Sequence, residues 1–157
     1  MTSCSPGGTR DLMFLLSWAS HALTEELAAG LAELGISPRA HYVLLMARPG
    51  GLTQRQLGDR CGVDKTTMVV TLDQLEAAGL VRRQPSPSDR RARLVEVTPE
   101  GEKVLHRAQE IAAGIHRDVL ASLPEADRAV FLRSIEALVA GRLAGGGACG
   151  PGSRPGF

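Results

Sequence analysis

Between Leu12 and Leu31 the apolar residues recur at threes and fours: Leu12, Leu16, Ala19, Leu23, Leu27 and Leu31. That spacing places them on one face of a helix and predicts a long first helix near 10–33. Ser37-Pro38 pairs a capping hydroxyl with a proline suited to a first turn, so a second helix runs from there to about Arg48. "PGG" at 49–51 stops it. Thr53-Gln54-Arg55-Gln56 has the form of a capping box and opens a short third helix to about Arg60, which Gly62 breaks. Asp64 caps a fourth helix and Gly79 closes it as a left-handed C-terminal residue. "LVRRQ" and "RLVEV" are strand-like runs on either side of a Pro/Ser turn, which predicts a hairpin. Thr98-Pro99-Glu100 starts a fifth helix with apolar positions Val104, Ala108, Ile111, Ile115 and Val119. A sixth begins around Pro124 and carries Phe131, Ile135, Leu138 and Val139.

The order of these elements carries a function. Two short helices joined by "RCGVD" form a helix-turn-helix, and the hairpin directly behind them makes it a winged one. The expected fold is therefore mainly α with a small β-hairpin wing, a winged helix-turn-helix flanked by long helices. The second helix of such a pair enters the DNA major groove with its N-terminal residues nearest the base edges. Here those residues are Asp64, Lys65, Thr66, Thr67, Val70 and Thr71. Lys65 supplies charge to phosphate or guanine, the threonines can bond to phosphates or bases, and a Thr or Val methyl can pack on thymine. Met68, Leu72 and Leu75 fall on the opposite face and are expected in the core. The hairpin tip, "QPSPSDRRA", reaches the flanking minor groove, where narrow stretches attract arginine. Arg91 is the inserted residue, Arg90 the phosphate contact, and Asp89 the partner that holds an arginine by a charge-assisted hydrogen bond. Pro85 and Pro87 stiffen the tip. A solvated charged turn is the plainer reading of "DRR" taken alone.

Composition adjusts this picture in three places. The 157 residues include one Trp, one Tyr and three Phe, so the core must be built from Leu, Val, Ile and Ala, which favours helix packing. Net charge is only +1, but residues 53–93 hold eight cations against five acids, and five of those cations lie between Arg82 and Arg93. The chain thus has a local positive patch without being basic as a whole. Cys4, Cys61 and Cys149 are odd in number and widely spaced, which gives neither a disulfide framework nor a metal-ligand spacing. No apolar run suits a membrane helix and the first residues lack a signal-peptide pattern, so a cytoplasmic setting is expected. No nucleophile–base set, paired carboxylates or phosphate loop points to an enzyme, and no cofactor is expected.

The segment "LTQRQLGDRCGVDKTTMVVTLDQLEAAGLVRRQPSPSDRRARLVEVTPEG", residues 52–101, resembles the winged-helix region of the MarR family of bacterial transcription regulators. The Asp-started recognition helix, "LxxxGLVxR", "P-x-DRRA" and "LT-x-x-G" patterns are met almost throughout, with Val97 where the family usually has Leu. The resemblance implies a homodimer whose first, fifth and sixth helices interlock while two winged helices read a pseudo-palindromic operator. Half-sites would lie about one helical turn, roughly 34 Å, apart. It matches Arg91 to the family's minor-groove arginine, Asp89 to its partner and Arg83 to the basic residue at the wing base. Thr53, Gln54 and Arg55 begin the preceding helix, beside phosphate. On this reading residues 1–9 and 144–157 are flexible tails, 10–48 and 99–143 are dimerisation regions, and 49–98 binds DNA.

Many members of the family release DNA when a small aromatic or anionic molecule binds between the dimerisation helices and the winged domain. Trp18, His21, His41, Tyr42 and Met46 are expected near that region, with Arg48 as a carboxylate partner; ordinary core packing accounts for these side chains equally well. The zinc-sensing branch is not matched, because no His-x-x-x-His pair is present. Nor is the peroxide-sensing branch, since Cys4 precedes the first helix and Cys61 sits in the helix-turn-helix bend. Repression by occluding a promoter is the expected mode of action. The competing expectation is a winged helix that serves as a protein-interaction or dimerisation module without sequence readout.

Overall fold

The computed structural model describes residues 11–87, 89 and 91–143. The expected tails, with Cys4 and Cys149, and the expected contact Arg90 lie outside the described residues. Six α-helices and a three-stranded sheet follow one another as α1 (Leu12–Leu31), α2 (Pro38–Ala47), β1 (Leu52–Thr53), α3 (Gln54–Cys61), α4 (Lys65–Ala77), β2 (Val81–Pro85), β3 (Arg93–Val97), α5 (Pro99–Ala121) and α6 (Glu125–Ala140). A single 3-10 turn, Ala32–Leu34, extends α1 and ends in Gly35 at φ 67°.

Capping chemistry sets most of these boundaries. Asp11, Ser37, Thr53, Asp64 and Thr98 each accept a hydrogen bond from a first-turn backbone N–H, and Thr53 with Gln56 forms the complete reciprocal box. Gly62 and Gly79 take left-handed conformations at φ 61° and 72°, where a side chain would be strained.

The one element the apolar pattern did not predict is β1. Its two residues pair antiparallel with β3, Leu52 opposite Val95 and Thr53 opposite Leu94, so the wing is a three-stranded sheet in the order β1-β3-β2. A two-residue strand has no alternation to read, and the same Thr53 also caps α3.

The core gathers under the winged domain. Val43, Leu44 and Ala47 from α2 meet Leu57 and Cys61 from α3, Met68, Leu72 and Leu75 from α4, Val81 and Val95 from the sheet, and Leu105 and Ala108 from α5. The inward face expected for α4 is therefore the one observed. Leu31 brings the end of α1 into the same cluster. Gly101 marks the tightest approach: a Cβ there would fall on the carbonyl oxygen of Leu80 and within 2.8 Å of Val97 Cγ1. Thr98 ties the same corner from the other side, its hydroxyl donating to Gly79 O at 2.6 Å and its N–H to Leu80 O at 3.0 Å. These contacts fix the start of α5 against the junction of α4 and β2.

The outer ends behave differently. Leu31 is the one buried residue on α1, and α6 has none. Within the protomer Leu12, Met13, Phe14, Leu15 and Trp18 on α1, and Val130, Phe131, Leu132 and Val139 on α6, remain exposed.

Candidate nucleic-acid interface

The helix-turn-helix is built by short-range bonds. Gly62 turns the chain at the end of α3, and Val63 N–H donates to Gly58 O at 3.0 Å across the bend. Asp64 then starts α4 with two bonds at once: Oδ1 accepts from Thr67 N at 2.9 Å and Oδ2 from the Thr67 hydroxyl at 2.6 Å. The hydroxyl bond, followed by the backbone one, holds the Asp64 carboxyl below the usual carboxylate range. An anionic cap at a helix N-terminus is also favoured by the peptide dipoles.

Beyond this cap α4 divides into two faces. Lys65, Thr66, Val70 and Asp73 are exposed, while Met68, Thr71, Leu72 and Leu75 are buried. Thr71 was expected among the DNA contacts, and the structure corrects this. It is 5% exposed and its hydroxyl donates to Thr67 O at 2.8 Å, one turn back on its own helix. Position 71 belongs to the inward stripe with 68, 72 and 75, and a threonine is tolerated there because its hydroxyl is satisfied locally. Val70, half exposed, stays on the outward face.

Between the start of α3, the N-terminal turn of α4 and the wing lies an open cleft of about 830 Å³. Thr53, Gln54, Arg55, Lys65, Asp89 and Arg91 line it, so six residues drawn from three separated segments are brought together. Arg93 lines it as well. In the sequence Arg93 belongs to the positive patch and reads as a strand residue. Its signal was available: it opens β3 opposite Pro85, just behind the loop, at an exposed position.

The arginines of the wing fall into two groups. Arg82 pairs with Glu96 across the strands, Nη2 to Oε2 at 2.8 Å. Arg83 is committed more deeply: Nε donates to Glu76 Oε2 at 2.9 Å, and Nη2 reaches both Glu76 Oε2 at 2.5 Å and Asp73 Oδ1 at 2.6 Å. Its backbone N–H adds a bond to Glu76 Oε1 at 3.0 Å. Hydrogen bonding to Glu76 first, and to Asp73, pushes the Arg83 pKa further up, while the Arg83 side chain draws the Glu76 carboxyl down. The expected DNA contact at Arg83 is thus corrected to an internal one, because two carboxylates on α4 take its donors. By contrast, among the described residues no carboxylate lies within 4.0 Å of Arg55, Lys65, Arg91 or Arg93.

Asp89 meets an arginine through the main chain. Its Oδ1 accepts from the backbone N–H of Arg91 at 2.8 Å, and its carbonyl accepts from Ala92 N–H at 3.0 Å. Ser86 N–H in turn donates to Ala92 O at 3.0 Å. Asp89 therefore shapes the turn that carries Arg91, and the bond it makes to that residue is through the main chain.

The residues expected around an effector do not share one environment. Trp18 is exposed and stacks on Phe14, with ring centroids 6.0 Å apart, and His21 is exposed on the same helix. Tyr42 and Met46 are half-buried on α2. His41 is 9% exposed, and among the described residues its Nε2 has no hydrogen-bond partner; burial pushes its pKa down. Arg48 was expected to be available for a ligand carboxylate, yet its Nε meets Glu102 Oε2 at 3.1 Å and links α2 to α5. Cys61 is buried, and burial pushes its thiol up to about 11, which removes the thiolate that redox sensing needs. Among the described residues no group of three or more His, Cys, Asp or Glu could hold a metal ion.

Comparison with known proteins bears on the whole arrangement. A sequence model of the MarR family matches residues 34–92, from the turn before α2 through the wing loop. A Thauera aromatica protein assigned as transcriptional regulator of the hcr operon is 31% identical over 105 residues, covering 66% of this chain and 63% of that protein. The repressor CouR bound to a 23-mer DNA duplex superposes with a TM-score of 0.73 at 31% identity, over 83% of this chain and 92% of that one. The chain belongs to the MarR family.

CouR of Rhodococcus jostii RHA1 in complex with p-coumaroyl-CoA is also similar, with a TM-score of 0.71, 28% identity, and coverage of 87% of this chain and 96% of that one. The MarR family match ends before α5, whereas the structural likeness to CouR extends over most of the chain. The long flanking helices are thus part of the MarR architecture here. MarR-family proteins are transcription regulators and not enzymes.

Proposed function

We propose that this chain is a homodimeric, sequence-specific DNA-binding repressor, released from a pseudo-palindromic operator by a small aromatic or anionic ligand. The observation that carries the reading is the separation of wing arginines. Arg82 and Arg83 are tied to carboxylates, whereas Arg91 and Arg93 stand unpaired beside Arg55 and Lys65 around one cleft. Unpaired cations converging from three segments suit a polyanion, and phosphate neutralisation is the main source of affinity for DNA. The start of α4, with exposed Lys65, Thr66 and Val70 and half-buried Thr67, supplies the base-reading surface, since a helix fits the major groove. Arg91 at the wing tip suits the flanking minor groove.

Residues 49–98 form the DNA-reading part of this proposal, and 10–48 with 99–143 the dimerisation part. The exposed apolar side chains of α1 and α6 support it, because a second protomer would cover a surface of that kind. Ligand control rests on the likeness to CouR, which has been solved with p-coumaroyl-CoA. The effector would bind between α1, α2 and α5, with Trp18, His21, His41, Tyr42 and Met46 nearby and Arg48 reached by displacing Glu102. A cytoplasmic setting follows from a DNA partner, and among the described residues no helix is long and apolar enough to cross a membrane.

The test is to retain genomic fragments of the source organism on the purified full chain and to sequence them. The expected result is enrichment of an inverted repeat with half-sites about one helical turn apart. Retention of fragments without any shared repeat overturns sequence-specific reading and favours a wing that contacts protein.

A further inference from the structure

The cluster formed by Asp73, Glu76 and Arg83 has an unexpected charge balance for a DNA-facing surface. Asp73 lies on the outward stripe of α4 with Lys65, Thr66 and Val70, where an unpaired carboxylate would repel phosphates. Glu76 follows one turn later at the edge of that stripe, half-buried. The two acids and one guanidinium leave the cluster net negative, yet the whole of it faces the element the protein uses to meet a polyanion. A surface shaped only for phosphate attraction has no use for these acids.

Geometry supplies the reason. Arg83 sits on β2 and its two partners sit on α4, so their bonds are the polar link between the recognition helix and the wing. Glu76 holds Arg83 by side chain and backbone together, and Asp73 holds the second edge of the same Nη2. The guanidinium side chain is 23% exposed, half-hidden between helix and strand. A planar fork gripped on two edges fixes direction as well as distance, which a single point charge cannot do.

We propose that Arg83 is a positioning residue that locks the angle between α4 and the wing through Glu76 and Asp73, and that these two acids are required for specific DNA binding although they touch no phosphate. This rests on the DNA-binding reading above. Both reading elements must meet their grooves at once, so an error in their relative orientation is lost from operator affinity and not from random-sequence affinity. A simple charge argument gives the opposite sign, since removing an acid near DNA strengthens binding.

The experiment compares wild type, Glu76→Gln, Arg83→Met and the double variant on a selected operator fragment and on random duplex, over a salt series. Circular dichroism and melting temperature report folding. The expected result is a loss of at least about tenfold in operator affinity for Glu76→Gln, a similar loss for Arg83→Met, and no further loss in the double variant. Random-duplex affinity is expected to hold or rise, and the salt slope to stay at the wild-type value. Tighter or unchanged operator binding by Glu76→Gln overturns the proposal. So does a drop of about one in the salt slope of Arg83→Met, which would make Arg83 a phosphate contact. If Glu76→Gln fails to fold, Asp73→Asn keeps the Glu76–Arg83 bonds and carries the same expected signs. A wild-type chain that shows no operator preference removes the DNA-binding reading itself, and the proposal with it, before any variant is compared.

Discussion

At the scale of single residues, exposure and partners separate function from scaffold more sharply than residue type does. Arg82, Arg83 and Arg91 are chemically identical, yet Arg91 is the one of the three without a carboxylate partner among the described residues. Arg91→Ala is accordingly expected to weaken operator binding at least tenfold, about 1.4 kcal/mol, with the protomer fold intact. Gel-shift titration beside a melting curve checks both halves. His41 gives a prediction of a different kind. Its folded pKa is lowered by burial, so the unfolded chain binds a proton more readily. Its contribution to stability is then full above the unfolded pKa of about 6.5 and declines as pH falls below that value. Urea midpoints measured between pH 7.5 and 5.5 should fall more steeply for the wild type than for His41→Leu.

Elements show where sequence signals are strong and where they fade. Caps at Ser37, Thr53, Asp64 and Thr98 were legible because a cap is a local bond between residues three apart. β1 was not, because its two residues become a strand only by pairing with β3, more than forty positions away. The burial of Thr71 is not legible in the sequence for a related reason. Its place on the border of the α4 stripe is decided by how far the core reaches round the helix, and the core reaches it. Gly101 is a local residue with a distant cause: Leu80 O and Val97 leave no room for a Cβ at the start of α5. Gly101→Ala is expected to cost about 1–3 kcal/mol, since the neighbour that must yield is main chain. A lowered urea midpoint with an unchanged slope would bear this out, and an unchanged midpoint would contradict the packing described.

For the whole molecule, α1 and α6 stand out because they are rich in large apolar side chains and yet bury almost nothing inside the protomer. The proposed dimer gives their apolar residues a place. Phe131→Glu, at a position 47% exposed in the protomer, is then expected to shift sedimentation toward a single subunit and to weaken operator binding in parallel. The same substitution on a monomeric protein would leave both measurements where they were. The two effects belong together because two half-sites held by one dimer gain from each other's binding, and separate protomers do not.

The sequence by itself determined the order of the helices and the hairpin, the caps, the inward face Met68, Leu72 and Leu75, and the placing of cations around the wing, because each is written in spacing or in bonds of short range. Only the tertiary structure decided which cations stay free. Arg83 and Arg48 look available in sequence, and both are held by carboxylates from other elements. Whether a long side chain is bound or free depends on what the fold brings within about 4 Å of its end, and no local pattern along the chain records that.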